Sequence, residues 1–246
     1  MLQYRLIMNE PALIPPPVPQ SQNFAIPLAI FGGLFFIALA IYFSNTQKEI
    51  LVKNNDFPTP EKIDVDAVTS TDHILGNPNA EIIIVEYSDI ECPFCKSFHP
   101  TMEKIMSTFG NDGQVAWVYR HLPLPKHINA FKEAEATECA AKLGGNTKFW
   151  EYLKKLFEMT QSNDGLDLIN LPKIAKTIGL DEKLFNECLE NGDMKSVVKG
   201  HIESGKRAKI NGTPTSVILL NKKQVGLING AQPFEVIKIQ IEELLK

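Results

Sequence analysis

The stretch Ile82-Ile83-Ile84-Val85-Glu86-Tyr87-Ser88-Asp89-Ile90-Glu91-Cys92-Pro93-Phe94-Cys95 decides the fold class. Its first four residues are an unbroken β-branched run, which suits a strand buried on both faces of a sheet. The run continues through Glu86-Tyr87-Ser88 and leads into two cysteines spaced C-x-x-C. From Pro93 to Phe109 the apolar residues Phe94, Phe98, Met102, Ile105, Met106 and Phe109 recur at helical spacing, with a kink expected at Pro100. Gln114 to Arg120 (QVAWVYR) then alternates like a second strand. Strand, crossover helix and strand predict a parallel pair within an α/β fold.

Downstream lies a helical region, about 127–191. Ala130 to Leu143 is rich in helix formers and stops at Gly144-Gly145. Lys148 to Met159, Leu171 to Ile178, Asp181 to Leu189 and Asp193 to Lys209 read as further helices. Thr215 to Leu220 and Gln224 to Ile228 are β-rich runs around Asn221-Lys222-Lys223, a hairpin signal. Pro233 to Lys246 reads as an amphipathic helix.

Upstream, Phe24 to Phe43 (FAIPLAIFGGLFFIALAIYF) carries no charge. As a helix it would span roughly 30 Å, the thickness of a bilayer core. It is read as a retained transmembrane anchor. A cleaved signal peptide is the alternative, since Ala38-Leu39-Ala40 resembles a cleavage site. Residues 1–23 form a proline-rich tail, residues 44–70 a polar stalk, and residues 71–246 the folded domain. Lys and Arg do not settle the orientation of the span. A net charge of −4 over 246 residues offers no basic face for nucleic acid. G-x-G-x-x-G and phosphate loops are absent, and no nucleotide, flavin or metal site is visible.

A C-x-x-C alone also suits zinc. Its position argues for redox chemistry. Cys92 falls at the N-cap of the predicted helix and Pro93 at its first position, where a missing N–H is harmless. Free N–H groups and the helix dipole favour a thiolate at Cys92. Cys95, a turn further in, is placed to resolve a mixed disulfide. A zinc site needs two more ligands, and Cys139, Cys188 and His99 are the candidates in view. Cys139 and Cys188 lie in separate helices, either as buried thiols or as a disulfide. Pro214 in Gly212-Thr213-Pro214-Thr215 either starts an edge strand or is cis. Glu86 either faces water at the strand end or is a buried acid serving Cys95. Glu91 beside Cys92 should oppose the thiolate slightly. His121 and His127 read as packed or surface histidines rather than catalysts, and Trp150 as a core residue.

From His73 to Lys246 the sequence resembles the DsbA-like branch of the thioredoxin superfamily. The marks are Leu75-Gly76-Asn77-Pro78, Val85-Glu86-Tyr87-Ser88-Asp89, Cys92-Pro93-Phe94-Cys95, Arg120-His121-Leu122-Pro123-Leu124, Glu138-Cys139-Ala140, Phe149-Trp150-Glu151, Phe185-Asn186-Glu187-Cys188-Leu189 and Gly212-Thr213-Pro214-Thr215. The resemblance implies a thioredoxin-like fold with a helical insertion, Cys92 as nucleophile, Cys95 as resolving thiol and Glu86 as the buried acid. It further implies a cis Pro214 beside the active site and a Cys139–Cys188 disulfide. Pro93, Phe94, Thr213 and Pro214 are then expected to hold substrate. Phe94 departs from the histidine of the best-known oxidases, so the resemblance leaves the redox potential open. The implied activity is a membrane-anchored protein disulfide oxidase outside the cytoplasm. It acts on reduced proteins without a bound cofactor and is reoxidised by a quinone-linked membrane protein. A reductase or isomerase, and a non-catalytic binding module, are the rival readings.

Overall fold

A computed structural model describes residues 63–246. The tail, the expected anchor at 24–43 and the stalk as far as residue 62 lie outside the described residues. Among the described residues no helix is long and apolar enough to cross a membrane.

Five strands form one mixed sheet. They are β1 (His73–Gly76), β2 (Ile82–Ser88), β3 (Val115–His121), β4 (Thr215–Leu220) and β5 (Lys223–Asn229), in the order β1-β3-β2-β4-β5. β2 and β3 run parallel, as the crossover predicts, and the other neighbours are antiparallel. Every residue of β2 is buried, because the sheet is covered on both sides. Ile82, Ile84, Trp117 and Tyr119 enter one core, and Ile83, Val85, Tyr87 and Val118 the other. This is the period-two alternation of a strand between two apolar layers. Short β1 has no β-branched run to announce it and was not foreseen as a strand.

The first core is roofed by helices α1 (Pro93–Ile105), α2 (Ala130–Met159), α3 (Leu171–Thr177), α4 (Glu182–Asn191) and α6 (Phe234–Leu244). α1 runs on through Pro100 and passes into a π-helical turn at Met106–Gly110. Gly145, at φ 75° and ψ −170°, breaks α2 where Gly144-Gly145 predicted a stop. Asp181 caps α4 by accepting from the Leu184 N–H at 2.9 Å. The β4–β5 turn sets both Asn221 and Lys222 at positive φ, the geometry of a tight two-residue hairpin.

The second core lies under α5 (Lys195–Arg207), where Gly205 allows the helix to approach Tyr87 and Leu122. Residues 63–70, expected to end a stalk, pack against this face instead. Ile63, Val65 and Val68 join the second core. The backbone oxygens of Asp66 and Ala67 accept from the Arg120 guanidinium at 3.1 and 3.3 Å. The domain therefore begins before Thr71, because the second sheet face needs an apolar cover and buried Arg120 needs acceptors.

Candidate active site

β2 ends at Ser88, and a short turn carries the chain into α1. The turn is held by Asp89, whose backbone oxygen accepts from the Cys92 N–H at 3.1 Å. Its Oδ1 accepts from the Glu91 N–H at 2.8 Å and its Oδ2 from the Leu124 N–H at 2.7 Å. His127 Nδ1 adds a contact to Oδ2 at 2.8 Å. Cys92 is extended (φ −78°, ψ 121°) at the N-cap, and Pro93 opens the helix. The cysteine sulfur thus faces the free amides of the first turn.

Thr213-Pro214 arrives beside it for a topological reason. β2 and β4 are antiparallel neighbours, with Tyr87 opposite Thr215. Residues just past the end of β2 therefore meet residues just before the start of β4. The Thr213–Pro214 bond is cis, and the Cys92 Sγ lies 3.4 Å from the Thr213 carbonyl oxygen.

The two thiols are driven apart. The Cys95 thiol donates to the Cys92 sulfur, and this contact does most to lower the Cys92 pKa, to about 5. Burial opposes the shift, while Thr213 and the amides of Cys95 and Phe94 assist it. Cys95 moves well above the usual thiol range, first through burial, then through its bond to Cys92 and the charges of Cys92 and Glu86. Cys92 keeps 3% of its surface exposed and Cys95 none. Cys92 is therefore the thiol that this geometry suits to attack.

Glu86 is buried beneath the pair, so the water-facing alternative falls. The Trp117 Nε1–H donates to its Oε2 at 2.9 Å. Burial lifts its pKa to about 7, against the pull of Ser88 and Trp117. A carboxyl poised there can exchange a proton near neutral pH.

The zinc alternative has no support in this geometry. Cys139 and Cys188 are joined by a disulfide closing a separation of 49 residues. His99 is buried between Trp117 and Phe157, and burial lowers its pKa to about 3. Glu91, expected to oppose the thiolate, is turned away into the protein. Its carboxylate accepts from Thr160 Oγ1 at 2.8 Å and from the Gly165 N–H at 3.2 Å. Glu133 lies near it, raised to about 10 by burial and then by the neighbouring Glu91 carboxylate. Asp89 and Glu133 are site-shaping residues that sequence reasoning did not single out, and His127, not read there as part of the site, contacts Asp89. The only signal was two acids, Asp89 and Glu91, placed between a buried strand and a C-x-x-C.

Phe94 is 64% exposed beside the pair. A cavity of about 460 Å³ runs along the Pro214 loop, lined by Lys209, Ile210, Asn211, Pro214 and Leu227 among others.

A family model described as Thioredoxin matches residues 68–243. The chain belongs to the thioredoxin superfamily, in its DsbA-like branch. Pseudomonas aeruginosa DsbA2 is 29% identical with a TM-score of 0.59, over 72% of this chain and 96% of that one. Bacillus subtilis BdbD, in its oxidised form, is 26% identical with a TM-score of 0.63, over 73% and 95%. Among curated proteins, the Na(+)/H(+) antiporter NhaA 1 of Mycolicibacterium vanbaalenii is 33% identical over 147 residues, 58% of this chain and 22% of that protein. The chain thus spans about a fifth of the length of these curated relatives. The Cys92–Cys95 pair, the Thr213-Pro214 loop and buried Glu86 lie together where the end of β2 meets the start of β4.

Proposed function

We propose that this oxidoreductase donates disulfides to reduced proteins outside the cytoplasm, held at the membrane by residues 24–43. The opposite displacement of the two thiols carries the reading. A stable Cys92 thiolate favours the reduced form, so the oxidised pair gives up its disulfide readily. A pKa near 5 lies between about 7 for thioredoxin and about 3.5 for the strong oxidant DsbA.

A substrate thiolate attacks the Cys92 sulfur of the Cys92–Cys95 disulfide, and Cys95 leaves, taking its proton from Glu86. The substrate's second thiolate then attacks the mixed disulfide at the substrate sulfur. The Cys92 thiolate departs, and two electrons have passed to the enzyme. The exposed ring of Phe94 beside Pro93, with the Thr213-Pro214 loop, holds the extended substrate backbone. A quinone-linked membrane protein accepts the electrons and restores the disulfide. Donation fails in a reducing cytoplasm, so residues 44–246 face outward. Cysteine labelling in intact cells that found positions after Lys48 protected would remove this placement.

The deciding test is the reduction potential of Cys92–Cys95, by equilibration against glutathione with Cys139 and Cys188 replaced. A value well above thioredoxin's ~−270 mV, towards ~−120 mV, supports donation. A value at or below thioredoxin's makes the dithiol the working form and replaces donation with reduction or isomerisation.

A further inference from the structure

The chain has five histidines, and three of them converge on one carboxylate. They come from different elements: His73 from β1, His121 from the end of β3 and His201 from α5. The carboxylate is Glu138 of α2. We propose that His121, Glu138 and His201 bind a divalent transition metal, with zinc the best chemical match, and that His73 positions the carboxylate.

One ligand atom from each of the three lies within 4.8 Å of the other two. Zinc bonds of about 2.0–2.1 Å in a tetrahedral set need ligand atoms roughly 3.4 Å apart. Closing that gap is the side-chain rearrangement that metal binding would require of the three residues. The two Glu138 oxygens are already divided between roles. Oε2 takes the His73 Nε2 contact at 2.9 Å, while Oε1 meets His121 Nε2 at 3.0 Å. A metal replaces the second contact and leaves the first as the outer hydrogen bond that orients a ligand. His73 itself is held by stacking on Phe149, with ring centroids 3.6 Å apart.

Two imidazoles and one carboxylate are the donor set of hydrolytic zinc sites, with water as fourth ligand. Nitrogen donors also disfavour calcium and magnesium, which take oxygen. Nearby Arg120 does not repel a cation strongly, because Asp72 grips its guanidinium at 2.8 and 3.1 Å. His121 and Glu138 are buried and His201 half-buried, so a metal enters past α5. Bound metal would tie β3, α2 and α5 together. Glu138 adjoins the disulfide-bonded Cys139, so one stretch of α2 would carry both fastenings. Ligand spacings of 17 and 63 residues resemble no metal motif, which is why the sequence hides them.

The test uses the full chain, oxidised so that Cys92 and Cys95 offer no thiolate, and stripped with a chelator. Zinc is titrated by calorimetry and cobalt by visible absorption. We expect one equivalent per chain and cobalt bands without a thiolate charge-transfer component. His201→Asn and Glu138→Gln should each weaken binding about 100-fold or more, and His73→Asn about 10-fold to 100-fold. Circular dichroism checks that each variant is folded. If Glu138→Gln does not fold, half-buried His201→Asn decides alone. The assignment is overturned if the wild-type chain binds no stoichiometric zinc, if His201→Asn binds as tightly as wild type, or if calcium competes equally with zinc.

Discussion

The Sγ of Cys92 lies 3.4 Å from the carbonyl oxygen of Thr213, a residue 121 positions later in the chain. That contact joins the helix that activates the thiolate to the loop proposed to hold the substrate. It exists because β4 lies antiparallel to β2 with Thr215 opposite Tyr87.

The first prediction concerns the division of labour between the thiols. Cys95→Ser should accumulate a mixed disulfide through Cys92 when mixed with a disulfide-bonded peptide, as the Cys92 thiolate attacks one peptide sulfur and the other leaves as a thiolate. Cys92→Ser should form none, and its exchange activity should fall on the order of 10³-fold or more. Mass spectrometry of the trapped adduct identifies the attacking sulfur. An adduct on Cys92→Ser would reverse the assignment, and unchanged activity in that variant would favour a binding module.

A second prediction follows from the Cys92 pKa of about 5. A thiol whose folded pKa is depressed stabilises the fold above its unfolded pKa, about 8.5, and loses that stabilisation as pH falls through the folded value. Only the reduced protein has this thiol. Its thermal midpoint should exceed that of the oxidised protein at mildly alkaline pH, and the gap should narrow towards pH 5. Ultraviolet absorbance of the thiolate should titrate with the same midpoint.

Glu86 has the opposite sign. Its folded pKa of about 7 stands above the roughly 4.3 of an unfolded carboxyl. The folded protein therefore holds this proton more tightly, and stability falls as pH rises between those values. Glu86→Gln keeps an acceptor for Trp117 but removes that loss. The variant should match wild type near pH 4 and be more stable above pH 7, by about 4 kcal/mol. Its exchange rate should drop about 10²-fold, because Cys95 loses its proton partner. Denaturation curves at several pH values, with rates measured alongside, separate the two effects.

The Cys139–Cys188 bond should contribute stability without entering turnover. Replacing both with alanine should cost about 2–5 kcal/mol in chemical denaturation. The reduction potential of Cys92–Cys95 should move by less than about 30 mV, a tenfold change in its equilibrium constant. A larger shift would mean that the helical block tunes the redox pair.

The chain announces its central features where local pattern and burial agree. Ile82 to Val85 is apolar without alternation because both sheet faces are covered, so a buried strand was readable directly. Cys92-Pro93 marked the helix start because proline at that position is a local rule. Gly145 broke α2 where its neighbours stopped the pattern. β1 was missed because its four residues become a strand only through pairing with β3. Residues 63–70 looked like linker because their brief alternation follows a polar, proline-punctuated stretch and is too short to mark an element. Their role appears only when the second core needs covering.

By itself, the sequence determined a buried strand ending in a redox pair at a helix start, because strand burial, helix phase and capping act over a few neighbouring residues. It left open whether Glu86 meets water and whether Cys139 meets Cys188. It also gave no sign that Glu91 points away from Cys92, or that His73, His121 and His201 share Glu138. Those were decided by the tertiary structure alone. Each depends on which distant segments the sheet order and helix packing bring together, and on how much water that packing removes from a charge.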